Sequence, residues 1–137
     1  RDALVGALAT PRRGVHWNND VVTELPPGAL VLVMHGMEFN NGNQVARQCA
    51  IGVLDAMGPN DELGVVLWDG QDRWLFPLTK VGDKQDLGRQ IMGMNQGDLP
   101  SFQKVMTMGY QGLKGSSASI RHMISPVPCQ RPAMRMP

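Results

Sequence analysis

Two short polar segments hold most of the chemistry this chain could perform. The first, His35-Gly36-Met37-Glu38-Phe39-Asn40-Asn41-Gly42-Asn43, follows an apolar run, Val31 to Met34. The second, Asn95-Gln96-Gly97-Asp98-Leu99-Pro100-Ser101, lies half the chain away. If the fold joined them, His35 could act as a general base with Asp98 or Glu38 beside it. An imidazole at the end of a strand also suits a transition metal, although a lone loop histidine is more often a structural hydrogen-bonder. His122 falls near the beginning of a later strand and would lie far from His35 in a parallel sheet.

Other reactive types are weaker candidates. Cys49 and Cys129 lack metal-ligand spacing, and Cys49 falls on an apolar helix face where a buried, inert thiol is expected. Asp69 and Asp72 bracket Gly70-Gln71, which reads as turn chemistry rather than a catalytic carboxylate pair. Gly93 and Gly97 straddle Met94-Asn95-Gln96 without the lysine or the spacing of a phosphate loop. Trp68 and Trp74 flank the turn and are expected to pack as a cross-strand aromatic pair.

Composition narrows the classes further. The 137 residues fit one domain, and 42% hydrophobic residues can build a core. Ten methionines are read as filler of irregular core gaps. A formal net charge of +1, with neither sign in a long run, leaves no electrostatic footprint for nucleic acid or an anionic membrane. No apolar stretch reaches the length of a membrane span. No secretory signal opens the sequence, which begins at Arg1, and the compartment stays open.

These segments need elements to position them. Ala29–Met34 and Leu63–Trp68 are continuously apolar, the mark of strands buried on both faces. Asn43 is expected to cap a helix carrying Val45, Ala46, Cys49, Ala50, Val53, Leu54 and Met57. Gly58-Pro59 should end it, with Gly58 left-handed. Arg73–Thr79 is a third strand, and Pro77 assigns it to an edge. Asp83 caps a short helix with Leu87 and Ile91; Asp98 and Pro100 start another, which Gly115 stops. Ile120–Ile124 is the fourth strand. The expected organisation is an irregular lead-in over 1–28, a domain over 29–125 and a proline-rich tail over 126–137. Strands alternating with helices make it α/β, with a mostly parallel sheet and one antiparallel strand.

In this order, GALVLVMHGM, NQVARQCAIGVLDAMGPNDELGVVLWD and RWLFPLTKVGDKQDLGRQI resemble the von Willebrand factor type A (vWA) domain in its bacterial form. The resemblance runs from Gly28 to about Ile124. It implies a three-layer, Rossmann-like sheet and a protein-binding module. Such domains hold a divalent cation through D-x-S-x-S after the first strand, a Thr from a later loop and an Asp after the fourth strand. Here His35, Met37 and Phe39 stand at the first three positions and Gly97 at the Thr position. Ile124-Ser125-Pro126 offers no acid. Magnesium-like ions need hard oxygens, which these residues do not supply. The resemblance also implies further strands after the fourth, so this chain reads as C-terminally truncated, with that strand as an open edge.

The expected function is therefore a non-catalytic protein–protein interaction module whose metal-dependent site has degenerated, using no cofactor. Its contact rim would be His35, Met37, Glu38, Phe39, Asn40, Asn41, Asn43, Gly97, Asp98 and Ser101, with Met37 and Phe39 as apolar anchors. The alternative is a small α/β enzyme with His35 as general base. Homodimerisation through the fourth strand would answer its open edge, unless the lead-in or the tail covers it.

Overall fold

The computed structural model describes residues 25–36 and 40–125. Met37, Glu38 and Phe39 lie outside them, as do most of the lead-in and the tail. Strand β1 (Gly28–Met34) pairs in parallel with β2 (Glu62–Trp68) on one side and β4 (Ile120–Ile124) on the other. Strand β3 (Asp72–Lys80) runs antiparallel to β2, giving the order β3-β2-β1-β4.

The turn into β3 needs Gly70, whose φ of 108° disfavours a side chain. Pro77 sits where proline is tolerated, on an edge strand and in an irregularity. Between the pairs Leu63↔Thr79 and Val65↔Phe76, β3 advances by one residue more than β2. Gly64 lies opposite this bulge, and a Cβ there would come within 3.0 Å of the Leu78 nitrogen.

Alternation explains the unbroken apolar strands. Leu32 and Met34 of β1, with Leu63, Val65 and Leu67 of β2, face α1 (Gly42–Ala56) and α2 (Lys84–Gly93). Ala29, Val31, Val33 and Val66 face α3 (Phe102–Lys114) on the other side. The result is three layers with two cores and a sheet buried on both sides through β1 and β2.

Helix α1 buries Gly42, Ala46, Ala50 and Leu54, one residue per turn. Cys49 precedes Ala50 and is rotated about 100° from it, so its thiol is exposed and not buried as expected. The helix begins earlier than expected. Its N-cap is Asn41 in the left-handed region, and Asn43 lies in the first turn.

Its end differs too. Met57 turns extended, and Gly58 does not adopt positive φ. Beyond that turn the carboxylate of Asp61 holds the chain, accepting the Gly58 N–H at 2.7 Å and the Gly28 N–H at 2.8 Å. One side chain thus ties the residue after the Met57 C-cap to the start of β1.

Asp83 caps α2 as expected, accepting from the Gln85 and Asp86 N–H groups. The cap of α3 is Ser101, whose hydroxyl accepts the Gln103 N–H, and not Asp98 or Pro100. Asp98 is drawn off toward β1.

The two tryptophans take diagonal rather than directly opposed positions on one face of the hairpin. Trp68 lies opposite Asp72 and Trp74 opposite Val66. Each indole packs against glycines: a Cβ on Gly97 would come within 2.8 Å of Trp68, and one on Gly64 or Gly112 within 2.9 Å of Trp74.

Candidate functional site

The two polar segments do meet, at the carboxyl ends of β1 and β2, the rim where α/β sheets bind ligands. His35 continues β1 and is 8% exposed. Its Nδ1 accepts the Leu99 N–H at 3.2 Å. An Nδ1 that accepts leaves the proton of a neutral imidazole on Nε2, which stands 3.5 Å from Asp98 Oδ1. The ring meets Phe102 at 5.3 Å between centroids, tilted by 53°.

Backbone contacts draw the join tighter. Gly36 N–H donates to the Gly97 carbonyl at 2.7 Å, and Gly97 N–H donates to the Trp68 carbonyl at 2.7 Å. A Cβ on Gly36 would stand 2.8 Å from the Gly97 carbonyl carbon. Both positions need glycine because two backbones and an indole occupy the space.

A second set of bonds ties this loop to α1. Gln96, only 2% exposed, donates through Nε2 to the Asn43 carbonyl at 3.2 Å, and Asn43 Nδ2 donates to the Gln96 carbonyl at 3.0 Å. Arg47 Nε approaches Gln96 Oε1 at 3.4 Å. A buried primary amide is stable only when its donors and acceptor are matched, and this exchange does so. Sequence reasoning missed Arg47, and it placed Gln96 in the polar segment without its buried role. No periodicity marks these bonds, because Gln96 lies 49 residues from Arg47 and 53 from Asn43.

The structure thus joins His35, Asn43, Gly97 and Asp98 in one network. Ser101 caps α3 on the same rim, while Asn40 and Asn41 are exposed before α1. Asp98 is the accessible charge, its side chain 71% exposed against 11% for His35. Among the described residues, no three side chains of histidine, cysteine, aspartate or glutamate gather as metal ligands.

The remaining candidates separate. His122 pairs with Leu30 on the exposed edge strand, five residues short of His35, or roughly 16 Å away. Asp69 takes Arg73 at 2.7 Å and Asp72 takes Lys104 at 3.7 Å, so the two carboxylates serve different cations.

No family model matches the sequence, and no curated protein matches it either. Solved structures do. A structure of three N-terminal domains of the type V pili tip protein Mfa5 from Porphyromonas gingivalis is 21% identical, with a TM-score of 0.54, and covers 73% of this chain. The vWF domain of the same protein is 18% identical, with a TM-score of 0.56, over 74% of this chain. The SpRpn10 VWA domain is 14% identical at a TM-score of 0.49. The chain spans 19%, 37% and 59% of their respective lengths, less than two thirds of each. At such identities the likeness concerns the fold. With its parallel centre, its single antiparallel strand and helices on both faces, the chain has a vWA-like fold.

Proposed function

We propose that this chain is a non-catalytic protein-interaction module that works without a divalent cation, its contact surface being the rim from His35 to Asn43 and from Gly97 to Ser101. The observation that carries this reading is the engagement of His35. Its position is where the vWA motif has a cation-binding carboxylate, yet Nδ1 takes Leu99 N–H and Nε2 faces Asp98. The Gly36–Gly97 contact supports the same reading, because backbone fills space beside the first strand's end. The vWF domain of a pilus tip protein shares the fold, in keeping with an interaction role.

The competing enzyme reading rests on the 3.5 Å approach of His35 to Asp98. A general base must present a free nitrogen lone pair to substrate, and here Leu99 N–H covers it. The geometry therefore favours binding over proton transfer.

Two measurements test the proposal. Calorimetric titration with millimolar Mg²⁺ or Mn²⁺ should give no saturable heat; a saturable signal lost in Asp98→Asn would overturn the metal independence. A photo-crosslinker at Asn40 or Asp98 should yield a defined adduct in native extract that one at Gln85, on α2, does not. Equal labelling at all three sites would remove the rim as the contact surface.

The reading extends to self-association through β4, whose Ile120 and Ile124 are 44% and 48% exposed. Apolar residues on an edge strand favour pairing with a second copy.

A further inference from the structure

A second concave surface lies between α3 and β3 and meets the rim only at Ser101. It is a solvent-open groove of about 840 Å³. Its floor is apolar: Trp74, Leu78 and Met108. It exists because α3 carries Gly112 where the helix crosses Trp74; a side chain there would collide with the indole.

The wall on α3 is polar. Gln103 and Gln111 line it, and neither side-chain amide has a protein partner among the described residues. Eight helical residues separate them, about 12 Å at 1.5 Å per residue. Four residues of extended chain span about 13 Å. Primary amides both donate and accept, which matches the alternating groups of a peptide backbone.

The two ends carry opposite charges. Lys104 stands at the Ser101 end, its side chain 70% exposed and held, among the described residues, only by a 3.7 Å approach to Asp72. Glu62 stands at the Ser116 end, where Oε1 accepts the Ser116 hydroxyl at 2.6 Å. From Lys104 to Gly115 the helix rises about 17 Å, or about five extended residues. That separation is too long for a compact metabolite to bridge, and a carboxylate at one end opposes a nucleic-acid backbone.

We propose that this groove receives an extended peptide segment of a partner protein. An acidic side chain would pair with Lys104, an apolar one cover Trp74, and a basic one meet Glu62. The site shares only Ser101 with the rim and stands whether or not the rim binds a partner.

The test uses the full chain and an acetylated, amidated hexapeptide with Asp first, Leu third, Lys sixth and Ser elsewhere. Calorimetry and amide NMR should show saturable binding, with shifts centred on Trp74 and the Gln103–Gln111 flank. Lys104→Glu should weaken this peptide about tenfold and strengthen one with Lys at both ends. Gln111→Trp, at an exposed helical position, should leave the melting curve intact and abolish binding of either peptide. The proposal is overturned by no saturable binding at millimolar peptide, by equal binding of a scrambled sequence, or by shifts confined to His35–Asn43. A concentration-dependent dimer dispersed by Gln111→Trp would assign the groove to a second copy and equally overturn it.

Discussion

Replacing His35 by alanine removes two contacts whose sizes follow from the structure. The Leu99 N–H, which donates to Nδ1 at 3.2 Å in a buried setting, loses its acceptor. A buried donor left unpaired costs about 1–3 kcal/mol. The ring also leaves Phe102, a contact at 5.3 Å of the kind worth about 0.5–1.5 kcal/mol. The approach to Asp98 adds little, because that carboxylate is 71% exposed and screened by water. The expected loss is roughly 2–4 kcal/mol, a fall in Tm of about 6–16 °C for a domain of this size.

Urea unfolding with an unchanged m-value, checked by calorimetry, measures it. His35→Asn separates the two parts. Its amide oxygen can stand near the Nδ1 position and keep Leu99 paired, so it should lose only about 1 kcal/mol, the ring contact. Asp98→Asn should stay within about 0.5 kcal/mol of the parent. A His35→Ala protein within about 0.5 kcal/mol of the parent, or a His35→Asn variant as damaged as His35→Ala, would refute the structural role given to this imidazole.

Three further outcomes are expected. Gly58→Ala should change the unfolding free energy by less than about 0.5 kcal/mol, since φ there is not positive, whereas Asp61→Ala should cost about 1–3 kcal/mol by orphaning two N–H groups; the reverse order would restore a glycine stop for α1. Gly97→Ala should destabilise by about 1–3 kcal/mol and shift tryptophan emission, because its Cβ would enter the Trp68 ring at 2.8 Å; a stable variant with unchanged emission counts against that packing. Light scattering at micromolar concentration should give a dimer mass, and Ile120→Lys with Ile124→Lys should return a monomer; a monomer in the parent removes the edge-pairing reading.

Much of this architecture is local chemistry that the sequence carries openly. The unbroken apolar character of Val31–Met34 and Leu63–Leu67 means strands covered on both faces, because alternate side chains must all find apolar neighbours. Pro77 can stand only where a ladder N–H is dispensable, and it does stand on the edge strand, in a bulge. The turn around Gly70, the cap at Asp83 and the stop at Gly115 depend on residues within a few positions of one another.

What tertiary structure decided involves partners far apart or choices between near-equal local options. A 3.6-residue period gives a helix an apolar side but cannot fix its rotation, so Ala46 and Ala50 went to the sheet and Cys49 to solvent. Gly58 was a sound local stop, yet Asp61 captured both its N–H and that of Gly28 across 33 residues. Ser101 replaced Asp98 as the cap because Asp98 faces His35 from β1. Gln96 gives no periodic signal at all; its burial follows from amide groups on α1 that the fold brought opposite it. Sequence alone determined which residues could bond. Only the packing of α1 and the 95–101 loop against the end of β1 determined which of them did, because a hydrogen bond reaches about 3 Å and the chain must first close the loops between.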